Sequence, residues 1–286
     1  MIGDVRAMKK INRIDKGKKK RFKNIAFLGF CIMILFSIGF FIGGRVSQSR
    51  HVVVNAFSSN KKNDEIKQKK LEEKEKQKKK KKQYAMDPYK NDGKKIVFLT
   101  FDDGPSRNNT PKILDILKEN DVKATFFVVG SYAESNKDIL KREKNEGHAI
   151  CNHTYSHDYQ YIYSDVSNFV NDIKKCENTI KDILGKDYEN KVIRFPGGSF
   201  GSRLQPYRQA IKEEGYYYID WNCLNGDAER HNVPVFNLIN RVKETSQEQQ
   251  HIIILMHDAE TKHTTVQALP EIIKYFKSQG YTFETF

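Results

Sequence analysis

From residue 94 to residue 286, short apolar runs alternate with amphipathic stretches. Runs rich in β-branched and aromatic residues predict seven strands, at residues 95–101, 124–130, 147–153, 191–195, 216–221, 251–257 and 281–286. Between them, apolar residues recur at helical spacing, at residues 110–120, 131–147, 165–185 and 266–280. Thr110 is the predicted N-cap of the first helix, and Pro111 is its predicted first helical residue.

This alternation of strands and helices predicts an α/β fold with a parallel sheet and helical crossovers. Two architectures fit the pattern. One is a distorted (β/α) barrel of about seven parallel strands. The other is an open, doubly wound sheet. The pattern of apolar residues does not choose between them.

A second apolar segment, residues 25–44, contains twenty residues without a charge. About twenty apolar residues cross the hydrocarbon layer of a bilayer, whereas the apolar core of a signal peptide has about 7–15. Arg45 follows directly. We therefore expect an uncleaved, single transmembrane anchor rather than a signal peptide. Basic residues crowd its N-terminal side, so residues 1–24 are predicted to be a cytoplasmic tail and the C-terminal domain to lie outside the cell membrane.

The net charge of the chain also differs between its N-terminal segments and its C-terminal domain. The formal net charge is +14, but residues 1–83 carry +17, which leaves −3 for residues 84–286. Residues 61–83 are rich in Lys and Glu and predict a flexible or partly helical stalk, within a linker at residues 45–93. Because the folded part is mildly acidic, we expect it not to bind nucleic acid.

The cysteines do not form a disulfide pattern. Cys31 lies in the apolar segment, which leaves Cys151, Cys176 and Cys223 in the C-terminal domain, with no C-x-x-C spacing. We expect buried free thiols, with one disulfide outside the cell as the alternative.

Chemically reactive side chains collect where the predicted strands end. These are Asp102 and Asp103, His153 and His157, Arg194, Asp220 and Trp221, Asp227, and His257 and Asp258. In (β/α) barrels the active site lies at the carboxyl ends of the strands. A surface that needed only to be soluble would carry Lys, Glu, Ser and Asn there. The sequence therefore predicts an active site at this edge of the sheet.

Two histidines in this set have metal-ligand spacing. His153 and His157 are four residues apart, so on a helical turn both imidazoles would reach one ion. With a carboxylate from another strand end they would form a two-histidine, one-carboxylate site suited to zinc or iron. Adjacent residues at a strand end point in different directions, so one carboxylate of the 102–103 pair can face the ion and the other the substrate. Asp-Gly-Pro is also ordinary turn chemistry, and that interpretation stays open for the pair alone.

Five stretches of the chain resemble the motifs of a known family. They are T-F-D-D-G-P-S, H-T-Y-S-H, R-F-P-G-G, D-W-N-C-L-N-G-D and I-L-M-H-D. They follow the order of the five motifs of the NodB-homology polysaccharide deacetylases, carbohydrate esterase family four. The resemblance covers about residues 94–286. It implies a distorted barrel with one divalent metal ion, expected to be zinc, with cobalt, manganese and nickel as alternatives.

The resemblance also implies roles for the residues around the metal. Asp102 would be the general base. Asp103, His153 and His157 would be the metal ligands. Arg194 would pair with the base and hold it ionised.

Further roles follow from the last two motifs. His257 resembles the general acid of the family. Asp227 resembles the carboxylate that orients this histidine, and Asp220 is the competing candidate for the same role. Trp221 and Leu255 resemble the walls of the pocket for the acetyl methyl group.

Two positions depart from the family pattern. Gly197 stands where the family often has an aromatic residue whose backbone N–H stabilises the oxyanion. Glycine can still offer that N–H, but an aromatic contact to the sugar would be missing. Ala228 stands where an aromatic residue often follows the aspartate of the fourth motif.

Topology and resemblance together predict a membrane-anchored hydrolase that removes N-acetyl groups from N-acetylglucosamine units of an extracytoplasmic polysaccharide. Peptidoglycan is the expected polymer, and chitin-type oligosaccharides, exopolysaccharides and acetylxylan are alternatives. A catalytically silent carbohydrate-binding module is the alternative from another class. Such a module would be expected to lack a metal ligand, the base or the acid, and this chain has candidates for all of them.

Overall fold

The computed structural model describes residue 89 and residues 92–286. The predicted tail at residues 1–24, the predicted anchor at residues 25–44 and nearly all of the predicted linker at residues 45–93 lie outside the described residues. Within the described part, no helix combines the length and the apolar character that crossing a membrane requires.

The described residues form a sheet surrounded by helices. The strands are β1 (Ile96–Gly104), β2 (Thr125–Val128), β3 (Ala149–Asn152), β4 (Val192–Ile193), β5 (Tyr217–Tyr218), β6 (Cys223–Leu224), β7 (His251–His257) and β8 (Thr282–Phe283). The helices are α1 (Thr110–Glu119), α2 (Gly130–Ser135), α3 (Lys137–Asn145), α4 (Tyr159–Ile162), α5 (Val166–Leu184), α6 (Gln205–Glu213), α7 (Val235–Thr245) and α8 (His263–Ser278). A short 3₁₀ helix, Ser202–Leu204, precedes α6.

The sheet is a half-barrel of seven parallel strands in the order β5-β4-β3-β2-β1-β7-β6, and β8 pairs in parallel with the start of β1. The two outer strands, β5 and β6, follow each other in the chain and are separated only by residues 219–222. A doubly wound sheet would instead reverse its strand order at an interior switch point. The observed order therefore agrees with the distorted barrel, left open between β5 and β6.

Strand β1 separates two layers of the core because successive side chains point to opposite faces of a strand. Val97 and Leu99 are fully buried in the cluster that the sheet shares with the helices. Ile96 and Phe98 belong to a separate cluster with side chains from β2, β3, β4 and β7. Asp102 is in phase with Ile96 and Phe98, so the alternation brings its carboxylate to the end of the interior face.

Each of the seven predicted strands overlaps an observed strand, and β1 extends three residues beyond its predicted end; β6 and the helices α4, α6 and α7 were not predicted. The predicted helix at residues 131–147 is wrong in one respect, since it breaks at Asn136 into α2 and α3. Asn136 has φ −128° and ψ 47°, and its side-chain amide donates to the carbonyl of Pro105 at 2.9 Å. This hydrogen bond to a distant loop stabilises the non-helical conformation of Asn136, so the helix is interrupted there.

The predicted cap of α1 is also wrong. Asn109 is the N-cap residue, and Thr110 is already in the helix. The hydroxyl of Thr110 donates to Asp258 and accepts from the backbone N–H of Ser106, so it serves a tertiary contact instead of capping.

The cysteines of the described domain agree with the expectation from the sequence. Cys151, Cys176 and Cys223 are free and buried. Burial raises the pKa of each thiol above its ordinary value, to about 11 for Cys223. Thiols that stay protonated in this way are poor nucleophiles.

Candidate active site

Strand β1 ends in a bulge that turns its two aspartates toward one place. The pairing with β2 shifts register between Asp102 and Gly104, and Asp103 has φ +71°, in the left-handed region. A bulge re-aims a side chain that a regular strand would point to the opposite face. Asp102 Oδ2 and Asp103 Oδ1 consequently lie 3.8 Å and 3.5 Å from the same atom, Nε2 of His153.

Asp103, His153 and His157 form a candidate metal site. Their ligand atoms all lie within 4.8 Å of one another, and Asp103 Oδ1 is buried without a hydrogen-bond partner. The Nδ1–H of His153 donates to the carbonyl of Arg194 at 2.9 Å, which leaves the lone pair of Nε2 facing the site. A two-histidine, one-carboxylate set in which one imidazole is oriented by this hydrogen bond fits a divalent cation.

The charges at this site favour the protonation states in which Asp103 and His157 can bind a metal ion. Burial alone would raise the pKa of Asp103, but the imidazole of His153 and the other nearby histidines lower it below its ordinary value. Burial, together with the charge of His153, lowers the pKa of His157. The aspartate is therefore ionised and His157 favours the neutral imidazole, as a metal ligand must.

The prediction that His153 and His157 share a helical turn is wrong, because residues 153–157 form a loop. His157 has φ +52°, and the backbone N–H groups of residues 155–156 donate to Asp172 Oδ2 at 2.6 and 2.9 Å. Asp172 lies on the otherwise apolar, buried face of α5. A carboxylate on such a helix face was the signal in the sequence that this residue holds something in place.

Arg194 is fully buried beside Asp102. Its Nη1 donates to Asp102 Oδ1 at 2.8 Å and to Thr100 Oγ1 at 2.7 Å, and its Nε donates to the carbonyl of Ile219 at 3.1 Å. The guanidinium carbon lies 4.1 Å from the ring centroid of Phe127. A guanidinium stays charged in proteins, so this buried pair compensates the negative charge of Asp102.

His257 is held by Asp227. His257 Nδ1 lies 2.7 Å from Asp227 Oδ1, and Asp227 Oδ2 accepts from the backbone N–H of His257 at 2.9 Å and from Thr265 Oγ1 at 2.7 Å. Burial alone would lower the pKa of His257, but the hydrogen bond and charge of Asp227 raise it from 6.5 to about 9. Asp220, the competing candidate, instead accepts from the N–H and hydroxyl of Ser199 at 2.8 and 2.6 Å.

The remaining predicted residues lie on the strands and loops next to these groups. Gly197 is exposed, with φ +76°. The ring centroid of Trp221 lies 5.8 Å from the guanidinium carbon of Arg194, and Leu255 is partly exposed on β7, two residues before its end. The structure thus places all ten predicted site residues around the carboxyl ends of β1, β3, β4, β5, β6 and β7.

Asp258 belongs to the predicted set of strand-end residues, but neither the pattern nor the resemblance implies a role for it. It is fully buried, and it accepts from Thr110 Oγ1 at 2.5 Å while its backbone N–H donates to the carbonyl of Asp102 at 3.1 Å. A Cβ added to Gly104 would lie 2.1 Å from Asp258 Oδ2. Burial raises the pKa of Asp258 from 3.8 to about 7. This side chain ties the end of β7 to the start of α1.

Comparison with known proteins agrees with this geometry. The family described as polysaccharide deacetylase matches residues 89–219. A peptidoglycan-N-acetylglucosamine deacetylase of Bacillus cereus is 33% identical over 204 residues, which cover 70% of this chain and 72% of that protein. The chain belongs to the polysaccharide deacetylase family. The resemblance recognised in the five motifs is therefore confirmed.

Solved structures support the same assignment of this polysaccharide deacetylase. A Streptococcus mutans CE4 esterase matches with a TM-score of 0.63 and 36% identity, covering 68% of this chain and 86% of that one. The catalytic domain of a peptidoglycan N-acetylglucosamine deacetylase from Eubacterium rectale matches with a TM-score of 0.62 and 31% identity, covering 71% and 93%. Membership of this family makes the protein a hydrolase that removes acetyl groups.

Proposed function

We propose that this deacetylase removes N-acetyl groups from N-acetylglucosamine units of an extracytoplasmic polysaccharide, and that the polymer is peptidoglycan. The observation that carries the proposal is the convergence of a buried, arginine-paired carboxylate and the Asp103–His153–His157 set on one point. The names of the relatives in Bacillus cereus and Eubacterium rectale support the choice of polymer.

Asp103, His153 and His157 would hold a divalent metal ion, which we propose is zinc, with cobalt, manganese or nickel as alternatives. Such an ion acts as a Lewis acid that activates water and polarises the carbonyl of the acetamide. The protein's part is to fix the ligand geometry, and the bond from His153 Nδ1 to the carbonyl of Arg194 does so for one imidazole.

Asp102 is proposed as the general base. Its Oδ1 accepts a hydrogen bond from Arg194, while its Oδ2 faces the candidate metal site, 3.8 Å from His153 Nε2. The free oxygen is therefore placed to accept the proton of a water molecule that attacks the acetamide carbon. Asp102 pairs directly with His257 across β1 and β7, so base and acid flank the same position.

His257 is proposed as the general acid. With Nδ1–H bonded to Asp227, the protonated imidazole keeps a second proton on Nε2 for the leaving nitrogen. Breaking the C–N bond then yields acetate and the free amine of the sugar. The backbone N–H of Gly197 would stabilise the oxyanion, and such a donor typically contributes about 2.7–4 kcal/mol.

The predicted anchor at residues 25–44 is part of the proposal. A single span with a basic N-terminal side would place the catalytic domain on the outer face of the cell membrane, where the polymer lies. Protease accessibility of residues 94–286 in intact cells tests this orientation, and protection of these residues would contradict it.

The function is tested with the full-length chain and a panel of N-acetylated peptidoglycan, chitin oligosaccharides, N-acetylated exopolysaccharide and acetylated xylan. Acetate release is quantified, and mass spectrometry locates the deacetylated unit. We expect release from N-acetylglucosamine polymers, and Asp102→Asn should retain metal but lose at least about a thousandfold in rate. Release from xylan alone would favour an esterase. Binding of glycans without any release would favour the silent carbohydrate-binding module.

A further inference from the structure

Two successive glycines in the loop after β4 are each covered by an exposed aromatic ring. A Cβ added to Gly197 would lie 3.2 Å from the Cε1 and hydroxyl of Tyr159. A Cβ added to Gly198 would lie 2.4 Å from Cε2 of Phe200 and 3.1 Å from Cη2 of Trp221. Tyr159 and Phe200 are nevertheless 49% and 58% exposed. The two rings therefore border a stretch of backbone that carries no side chains of its own.

Tyr159 is fixed beside the metal site. Its ring stands edge-on to His157, with the ring centroids 5.3 Å apart. Helix α4, which begins with Tyr159, is capped by Asp158 and tied to the loop by the hydroxyl of Tyr163, which donates to the carbonyl of Pro196 at 2.8 Å. An exposed aromatic side chain held in this way has little entropy to lose when it binds a ligand.

Phe200 is fixed on the other part of the loop. Its ring packs against Trp221 in a T-shaped arrangement, with centroids 5.5 Å apart. Asp220 holds the neighbouring Ser199 by two hydrogen bonds, and the guanidinium of Arg208 donates to the carbonyl of Gly201 at 2.8 Å. The loop thus presents the ring to solvent instead of burying it.

Exposed aromatic rings next to a catalytic centre are typical of a ligand-binding surface. A pyranose ring has an apolar C–H face that packs on an aromatic ring, and hydroxyl groups at its edge that stay solvated. Neighbouring sugar rings of a polymer therefore match this surface better than an extended peptide does.

We propose that Tyr159 and Phe200 are specificity-determining residues that pack against the sugar ring being deacetylated and its neighbours, so that the enzyme selects polymers over isolated acetyl groups. The aromatic contact that Gly197 cannot provide is then supplied by Tyr159, from the loop of the second motif. This inference rests on the proposed function, because it takes the substrate to be a sugar polymer.

The test uses the full-length chain, with β-1,4-linked N-acetylglucosamine pentamer and solubilised N-acetylated peptidoglycan as glycan probes and 4-nitrophenyl acetate as a probe without sugar. Tyr159→Ala and Phe200→Ala should each raise KM for the glycans about tenfold, and their effect on 4-nitrophenyl acetate should be smaller by at least about threefold. Tyr159→Phe and Phe200→Tyr keep the ring and should restore most of the affinity. Tyr217→Ala, at a 47% exposed tyrosine on β5, is the matched control.

Metal content and thermal unfolding of each variant show whether the site itself has been damaged. The inference is overturned if both truncations leave KM for the glycans within about twofold of that of the unchanged chain. It is also overturned if both variants retain metal and lower kcat/KM by the same factor for the glycans and for 4-nitrophenyl acetate. If the unchanged chain releases no acetate from either glycan, the proposed function fails and this inference fails with it. If the unchanged chain is active on the glycans and both truncations keep that activity, the role of the two rings is refuted and the proposed function stands.

Discussion

Replacing Asp227 by asparagine separates the charge of this residue from its shape. In the structure, one carboxylate oxygen faces His257 Nδ1 at 2.7 Å, and the other accepts from the backbone of His257 and from Thr265. Asparagine keeps the size and one acceptor but removes the negative charge. The imidazolium of His257 then loses its buried counter-ion.

The expected size of the effect follows from the pKa of His257. Asp227 is the main reason why this pKa is raised from 6.5 to about 9. Without that carboxylate, burial still lowers the pKa of His257 while the charges of Asp103 and Asp102 still raise it, so we expect the pKa to return to about 6.5. At pH 8 the protonated fraction would fall from about 0.9 to about 0.03, which is about a thirtyfold loss of general acid, whereas at pH 6 the loss would be less than about twofold.

The assay is the pH profile of kcat/KM for acetate release from N-acetylglucosamine pentamer. The alkaline limb should move to lower pH by about two and a half pH units in Asp227→Asn. A cation held by the neighbouring ligand set would lower the pKa of His257 in both proteins, so the difference between the two profiles is the quantity to compare. Asp220→Asn is the control, because Asp220 bonds Ser199 and should leave the alkaline limb in place. An equal loss at pH 6 and pH 9 in Asp227→Asn would refute the reasoning.

Three further predictions concern the metal site and the buried polar groups. His157→Ala should lose metal, measured by elemental analysis, whereas His231→Ala, at an exposed histidine, should keep it. Gly104→Ala should lower the free energy of unfolding in urea by about 3 kcal/mol or more, because its Cβ would lie 2.1 Å from a buried carboxylate. Gly215→Ala, with φ +79° and open space, should cost only about 1 kcal/mol. Burial raises the pKa of Glu143 well above 4.5, so ionisation of Glu143 destabilises the folded state as the pH rises. Glu143→Gln should therefore be more stable than the unchanged chain by a margin that grows between pH 5 and pH 8.

The parts of the fold that the sequence predicts well are those set by local pattern. Strands β1 and β7 are continuous apolar runs that the local pattern identifies. Their pairing, which places Asp102 opposite His257, is seen only in the structure. Strand β6, by contrast, has only two residues, Cys223 and Leu224, between polar neighbours, so no periodicity indicates it. Its pairing depends on β7, more than 25 residues further along the chain.

The same distinction between local pattern and tertiary contact applies to the candidate site. The types of residue at the strand ends predict which side chains gather, but not the backbone that aims them. The bulge at Asp103 depends on the register with β2, and the loop at His157 depends on hydrogen bonds to Asp172 on α5. The contact of Tyr159 with Gly197 joins segments 38 residues apart. Each of these features is a tertiary interaction that overrides local preference, as at residues 153–157, where it overrides the expected helical turn.

The buried guanidinium of Arg194 has a consequence for protein engineering. One side chain pairs with Asp102, the proposed base, and also links Thr100 on β1 to the carbonyl of Ile219 just beyond β5. Removing one member of such a pair typically costs about 3–5 kcal/mol. An inactive variant at Arg194 would consequently reflect loss of stability as much as loss of a catalytic contribution. Redesign for a new polymer should leave this arginine alone and vary the two rings at the rim.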